Sequence, residues 1–261
     1  MTATEIPLVI ALAMWLAAAL LYFLKRHVLR VVFMIAGWAA VAGLLVYLWI
    51  VLGHPPMRST GETQLWFACF LPLVGLIVEI LFRSRSVSIL VIVPAAVFVV
   101  RSLVDPEAFE RTIMPALRSP WFIPHVVVYM VSYAALALAG LAAVWGLIKS
   151  VQNRRLPTGE ETLLPFRLAC IGFPLLTCGL LFGAFWAQDA WSDYWTWDPK
   201  EVWSLATWLG FGAYFHLHTR LPGRPRVAMA VLIVSCAVMI MTWLGVDILP
   251  SASMSEHTYS R

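Results

Sequence analysis

Residues 126–148 read VVVYMVSYAALALAGLAAVWGLI, a run without one charged side chain. An α-helix rises about 1.5 Å per residue, so this run covers roughly 35 Å, enough to cross a hydrocarbon core of about 30 Å. Outward from it, apolar runs of similar length recur at 7–24, 31–53, 65–82, 87–103, 168–187, 201–218 and 227–249. Composition agrees: 61% of the 261 residues are hydrophobic and 12% charged, and the mean hydropathy of +0.84 excludes an ordinary soluble domain. No repeat, low-complexity tract or linker divides the chain. The expected fold is all-α, a polytopic membrane helical bundle of eight transmembrane helices forming a single domain over residues 1–261.

The charges report orientation. Connecting eight spans assigns alternate loops to one side, and that side collects Lys25, Arg26, Arg30, Arg83, Arg85, Lys149, Arg154, Arg155, Arg167, Arg220, Arg224 and Arg226, twelve of the 18 basic residues. The opposite side holds eleven of the 14 acids. By the positive-inside rule the basic side is cytoplasmic and both termini lie outside. The net charge of +4 is therefore a topology signal and not a surface for nucleic acid. Glu5 precedes the first span and Lys25 and Arg26 follow it, the reverse of a cleavable signal peptide, so that span is expected to be retained.

The four cysteines, Cys69, Cys170, Cys178 and Cys236, fall inside spans without a CxxC and read as small core residues. Glu79 and Asp247 lie near span ends, where a carboxylate reaches an interface; the structural reading is preferred for both, although acids at membrane depth are also functional suspects. Within the outer segment 104–124, DPEAFERTIMPALR reads either as a short interfacial helix, with an Asp cap and Pro at the first helical position, or as a plain connector.

The segment 186–208, WAQDAWSDYWTWDPKEVWSLATW, holds six of the 13 tryptophans. Membrane proteins place Trp at the headgroup level, but such a belt spreads over all helix ends. Here the rings crowd one outer loop, interleaved with Asp189, Asp193, Asp198, Lys200 and Glu201. Asp198 followed by Pro199, with Glu201 three positions on, reads as an N-cap, N1 and N3 opening the seventh helix.

Six histidines accompany this segment. His125 begins the fifth span and His257 follows the eighth, both on the face from which the Trp segment emerges. Two imidazoles flanking an aromatic platform suit a flat apolar macrocycle such as haem, although a histidine at a helix mouth is more often an interfacial polar residue. His216 and His218 end the seventh span, and residues two apart lie on different helix faces. His27 sits amid the inner basic residues, and His54, before Pro55 and Pro56, reads as a turn residue.

The core W-x-x-x-W-x-W-D-P-K-E at Trp191, Trp195, Trp197, Asp198, Pro199, Lys200 and Glu201 resembles the tryptophan-rich "WWD" domain of haem-handling proteins in cytochrome c biogenesis. With HVVVYMVSYAAL at 125–136, YFHLHTR at 214–220 and WLGVDILPSASMSEHTYS at 243–260, it looks most like the CcsA/ResC-type subunit of the System II cytochrome c synthase. The likeness covers most of the C-terminal half; the first hundred residues match only as hydrophobic helices. Two positions depart from the pattern. Ser192 stands where Gly is usual, and Asp247 where Asn is common.

The resemblance implies that His125 and His257 are axial ligands to a haem b held against Trp191, Trp195, Trp197 and Asp198. It implies that His218 belongs to a deeper haem site, completed by a histidine of a ResB/CcsB-type membrane partner. The implied reaction is addition of the two thiols of an apocytochrome c CxxCH motif across the haem vinyl groups, outside the cytoplasmic or thylakoid membrane. Two other readings stay open: a haem delivery or export component like the CcmC-type relatives, and a b-type electron-transfer subunit.

Overall fold

The computed structural model describes residues 4–82, 87–105, 119–246 and 249. Among them stand eight α-helices: α1 (Glu5–Phe23), α2 (His27–Leu52), α3 (Thr60–Phe82), α4 (Val87–Val104), α5 (Phe122–Gln152), α6 (Glu160–Trp191), α7 (Pro199–Arg220) and α8 (Pro225–Ile240). A π-helical turn, Met241–Gly245, continues α8. Each helix overlaps one apolar run read from the sequence, and α5 and α6 extend well beyond theirs. The segment proposed as an interfacial helix falls largely in 106–118, and Asp247 and His257 in 247–248 and 250–261; all lie outside the described residues.

Six of these helices are long and apolar enough to cross a membrane: α1, α2, α3, α5, α6, and α8 with its π turn. The apolar part of α4, Ile89–Val104, is shorter. Helix α7 has the length without the composition, because Lys200, Glu201, His216, His218 and Arg220 all fall within it. Large apolar side chains also point outwards, Leu16, Ile50 and Ile80 among them at 68, 76 and 75% exposure. Helices that are apolar on the outside as well as the inside are those of a protein solvated by lipid.

The chain divides into two compact units, Met1–Ile113 and Met114–Arg261. In the first, α1 packs on α2, α2 on α3, α3 on α4 and α4 on α1, a closed ring of four helices. In the second, α5, α6, α7 and α8 repeat that order, with the α5–α6 pair the most extensive. Small residues make that pair close: Ala134, Ala135, Ala139, Ala142 and Ala143 line the buried side of α5, and the Ser132 hydroxyl donates to the Gly172 carbonyl of α6 at 2.8 Å. Without a hydrophobic drive between helices in lipid, close backbone contact and such hydrogen bonds carry the association.

A buried charge pair joins α2 to α3 in the first unit. Arg30, 2% exposed, donates from Nη1 to Glu79 Oε2 at 3.0 Å and from Nη2 to Oε1, and His27 Nε2 lies 3.6 Å from the same carboxylate. Glu79 is thus buried and held by a cation, in keeping with the structural reading. His54 occupies the turn between α2 and α3, its Nδ1 3.0 Å from the Pro55 carbonyl. The reading of all four cysteines as core residues is corrected. Cys69 and Cys236 are buried, whereas Cys170 and Cys178 are exposed on α6.

Candidate functional site

Helix α6 ends at Trp191, and the chain leaves it through Ser192, whose φ of 64° and ψ of 17° are left-handed. Its N–H donates to the Gln188 carbonyl at 3.0 Å, closing the helix C-terminus. Asp198 then opens α7. Its Oδ1 accepts from the Lys200 N–H at 2.8 Å, while Glu201 Oε2 accepts from the backbone N–H groups of Asp198 at 3.1 Å and Thr196 at 2.8 Å. This is the reciprocal cap the sequence led us to expect, with Pro199 at N1. Both carboxylates are more than nine-tenths buried, so the hydrogen bonds that fix the loop are shielded from water.

Between the two helix ends the loop presents its rings outward. Trp197 has φ 61°, a left-handed conformation that a bulky side chain rarely adopts, and is 68% exposed. Trp195 meets it edge to face, ring centroids 6.0 Å apart. Tyr194 is also exposed and approaches Phe185. Phe185 contacts Trp121, and the Ser119 hydroxyl just before it donates to Asp189 Oδ2 at 2.9 Å.

Beneath this loop, at the start of α5, lies His125. Its Nδ1 is 2.8 Å from the Gly179 carbonyl. A carbonyl only accepts, so Nδ1 carries the proton and the neutral ring keeps its lone pair on Nε2. The Trp186 ring stacks on the imidazole at 5.7 Å and 24°, Trp191 meets Trp186 edge to face at 4.9 Å, and Tyr129, one turn along α5, abuts the imidazole at 4.7 Å and 88°. The Tyr129 hydroxyl lies near the Ser204 side chain of α7, and the Ser204 hydroxyl donates to the Lys200 carbonyl at 2.7 Å. Ser204 thus brings the capped start of α7 beside the ring that abuts His125.

Of the residues singled out by sequence, His125 and Trp191 come together through Trp186, and Trp195, Trp197 and Asp198 share the loop that follows. His218 sits in the last turn of α7, 19 residues from Pro199 and therefore about 28 Å along the helix axis. It stacks on Phe166 at 4.2 Å and 11° and approaches Tyr214 at 5.7 Å, while His216 is exposed. Of the two, His218 is the one turned towards neighbouring helices.

Sequence reasoning passed over Tyr129, Gly179, Gly183 and Ser204, and took Trp186 only as one ring of the segment. Two signals were available. His125, Tyr129 and Tyr133 recur every four residues on α5, and Gly179, Gly183 and Trp186 fall at i, i+4 and i+7 on α6, so that each set lies on one helix face.

The arrangement is that of a polytopic membrane protein with an imidazole set among aromatic rings at a helix mouth. The model of the cytochrome c assembly protein family matches residues 5–252, and the chain belongs to that family as a CcsA-type cytochrome c biogenesis protein. It is 31% identical over 249 residues to the cytochrome c biogenesis protein CcsA of Parasynechococcus marenigrum, covering 82% of this chain and 81% of that one. Against the CcsA of Chlamydomonas reinhardtii it is 34% identical over 225 residues, covering 79% and 62%. The CcsA of Porphyra purpurea is 30% identical over 250 residues, covering 77% and 78%.

Proposed function

We propose that this chain takes up haem b, carries it to the outer face of a cytoplasmic or thylakoid membrane, and presents it to apocytochrome c for covalent attachment. All eight helices cross the membrane in this reading, residues 1–261 act as one assembly domain, and both termini and the segment 186–208 lie outside. His125 and His257 ligate the iron on the two faces of the macrocycle, and Trp191, Trp195 and Trp197 pack against its edge. Asp198 holds the loop that carries these rings. His218 serves an earlier haem position, completed by a ResB/CcsB-type membrane partner.

The observation that carries this reading is the state of His125. Its Nδ1–H is fixed on the Gly179 carbonyl and its ring is stacked on Trp186, which is how an iron-ligating imidazole is oriented by its surroundings. The donor set also suits the cargo. Porphyrin supplies four of the iron's ligands, so a site offering one or two imidazoles within apolar rings is sufficient. Among the described residues there is no group of three or more His, Cys, Asp or Glu side chains that would hold a bare metal ion.

The chemistry assigned to the outer site adds each thiol of a CxxCH motif across one vinyl group. Sulfur bonds to one vinyl carbon and hydrogen to the other, with no net oxidation or reduction. Haem supplies the reactivity, and the chain's own groups hold the vinyl carbons beside the thiols.

The test is purification with the ResB/CcsB-type partner, followed by an absorption spectrum and co-expression with a CxxCH reporter. Covalent haem on the reporter, lost in H125A and H257A and restored by added imidazole, is the expected result. Transfer of haem without covalent attachment reduces the protein to a delivery component, and a complex that binds no haem refutes the proposal.

A further inference from the structure

Helix α6 carries a notch opposite His125. Gly179 and Gly183 lie one turn apart on the face that meets α5, and Trp186 closes that face three residues further on. A Cβ at Gly183 would stand 2.8 Å from His125 Cε1 and 2.9 Å from Nδ1, and one at Gly179 would stand 3.1 Å from the Tyr129 ring. The imidazole therefore occupies the space that a side chain at 183 would take. This position lets Nδ1 reach the Gly179 carbonyl one turn earlier, a group that helical geometry already commits to the N–H of residue 183. A backbone carbonyl can accept twice, but a second donor reaches it only where no side chain covers that turn.

Resting on the proposal that His125 ligates haem, we infer that Gly183 is a positioning residue for that ligation. The notch it leaves in α6 admits the imidazole, the Gly179 carbonyl fixes the Nδ1–H tautomer, and Trp186 and Tyr129 hold the ring plane, so that Nε2 is the nitrogen presented to iron. Three restraints meet on one ring. The hydrogen bond sets its tautomer and tilt, the stacked indole sets its plane, and the Tyr129 ring abuts it at a right angle. Restraints of this kind around a metal-binding histidine typically carry about 10-fold to 100-fold in affinity.

The informative variant is Gly183→Ala. Every close contact of the added methyl is with atoms of the His125 ring, so the ring is what moves, and the α5–α6 pairing further along the helices is unaffected. The full chain is purified as wild type, G183A, H125A, H125G and the double variant H125G/G183A, and each is titrated with haem in the presence and absence of imidazole. The expected result is a loss of at least 10-fold in haem affinity for G183A, with the low-spin spectrum giving way to a high-spin one. In the H125G background, where the clashing ring is gone and imidazole supplies the ligand, G183A has no further effect. A G183A protein with wild-type affinity and spectrum overturns the inference, and so does an equal loss in the H125G background, because the methyl would then act on something other than the ring.

A second measurement separates this inference from the ligation it rests on. Nitrogen-15 spectra of the haem-free protein, labelled at histidine and assigned by comparison with H125A, are expected to show His125 as the Nδ1–H tautomer in the wild type and to lose that signature in G183A. If haem binds with a spectrum indifferent to H125A, ligation by His125 is wrong. The nitrogen spectra then decide the positioning alone: it stands if the tautomer is lost in G183A and falls if the two spectra agree.

Discussion

Two helices of this protein end in the same backbone conformation with different residues. Helix α2 closes on Gly53 at φ 69°, ψ 7°, its N–H donating to Trp49, and α6 closes on Ser192 at φ 64°, ψ 17°, its N–H donating to Gln188. Glycine adopts this left-handed geometry without a Cβ penalty, whereas an L-residue pays about 1–2 kcal/mol for it. Glycine returns part of that advantage, roughly 0.5–1 kcal/mol, through the greater freedom of its unfolded chain. Replacing Ser192 by Gly, the residue usual at that place in the family pattern, is therefore expected to stabilise the protein by about 0.5–1 kcal/mol, which raises an unfolding midpoint by roughly 2 °C. Gly53→Ser provides the mirror experiment. A Cβ there meets nothing within 4 Å, so the loss, of about the same size, reads the conformational cost alone. Thermal unfolding of the two variants and of S192A in one detergent is the assay, with S192A expected within about 0.5 kcal/mol of wild type. If S192G is neutral or destabilising while G53S is costly, the serine side chain stabilises the loop in a way its exposed position does not reveal. If both are neutral, the left-handed argument itself is refuted.

Trp197 combines the same strained φ with an exposed ring, so Trp197→Gly is expected to leave the unfolding midpoint unchanged or slightly raised while weakening haem binding about 10-fold, the loss of one aromatic contact; a lowered midpoint with unchanged haem affinity would make Trp197 a packing residue. Asp198→Ala removes a buried helix cap and should cost about 1 kcal/mol, whereas Asp198→Asn keeps most of the cap; a D198N protein with intact helix and haem occupancy that fails to form thioethers on a reporter would give the carboxylate a role beyond capping. In the first unit, truncating Arg30 or Glu79 alone strands a buried charge and should cost about 3–5 kcal/mol, while Arg30→Met with Glu79→Leu should be much milder; unfolding in detergent with increasing SDS distinguishes the two, and an additive double variant would show that the pair is not coupled.

What could be read in the sequence followed from local rules. Uninterrupted apolar runs marked the helices because a lipid-spanning helix must satisfy its backbone internally and cover itself with apolar side chains, a requirement visible one residue at a time. Asp198, Pro199 and Glu201 marked the start of α7 because a reciprocal cap has a fixed spacing. Other features depended on which faces meet. Arg30 and Glu79 are 49 positions apart and pair only because α2 packs on α3. Helical spacing alone does not say whether His216 or His218 faces the bundle; the stacking of Phe166 of α6 on His218 does. The notch of Gly179 and Gly183 had a spacing to notice, but a glycine pair says that something approaches closely without saying what.

The route of contacts from the loop to the histidine joins these two kinds of information. Asp198 accepts from the Lys200 N–H, the Lys200 carbonyl accepts from Ser204, and Ser204 lies near the hydroxyl of Tyr129, whose ring abuts His125. The first two links lie within α7 and follow from its capped start. The third crosses to α5 and follows from packing. A change in the loop that unwinds the first turn of α7 is therefore expected to reach the imidazole by way of Tyr129, whereas a change in the α6 notch reaches it directly. Ser204→Ala separates the routes: it leaves cap and notch intact and removes the hydroxyl beside Tyr129, so a haem affinity lowered in S204A and lowered no further in S204A/Y129F would show that loop and ligand are coupled through that pair. Equal and independent losses in the two single variants would show that they are not.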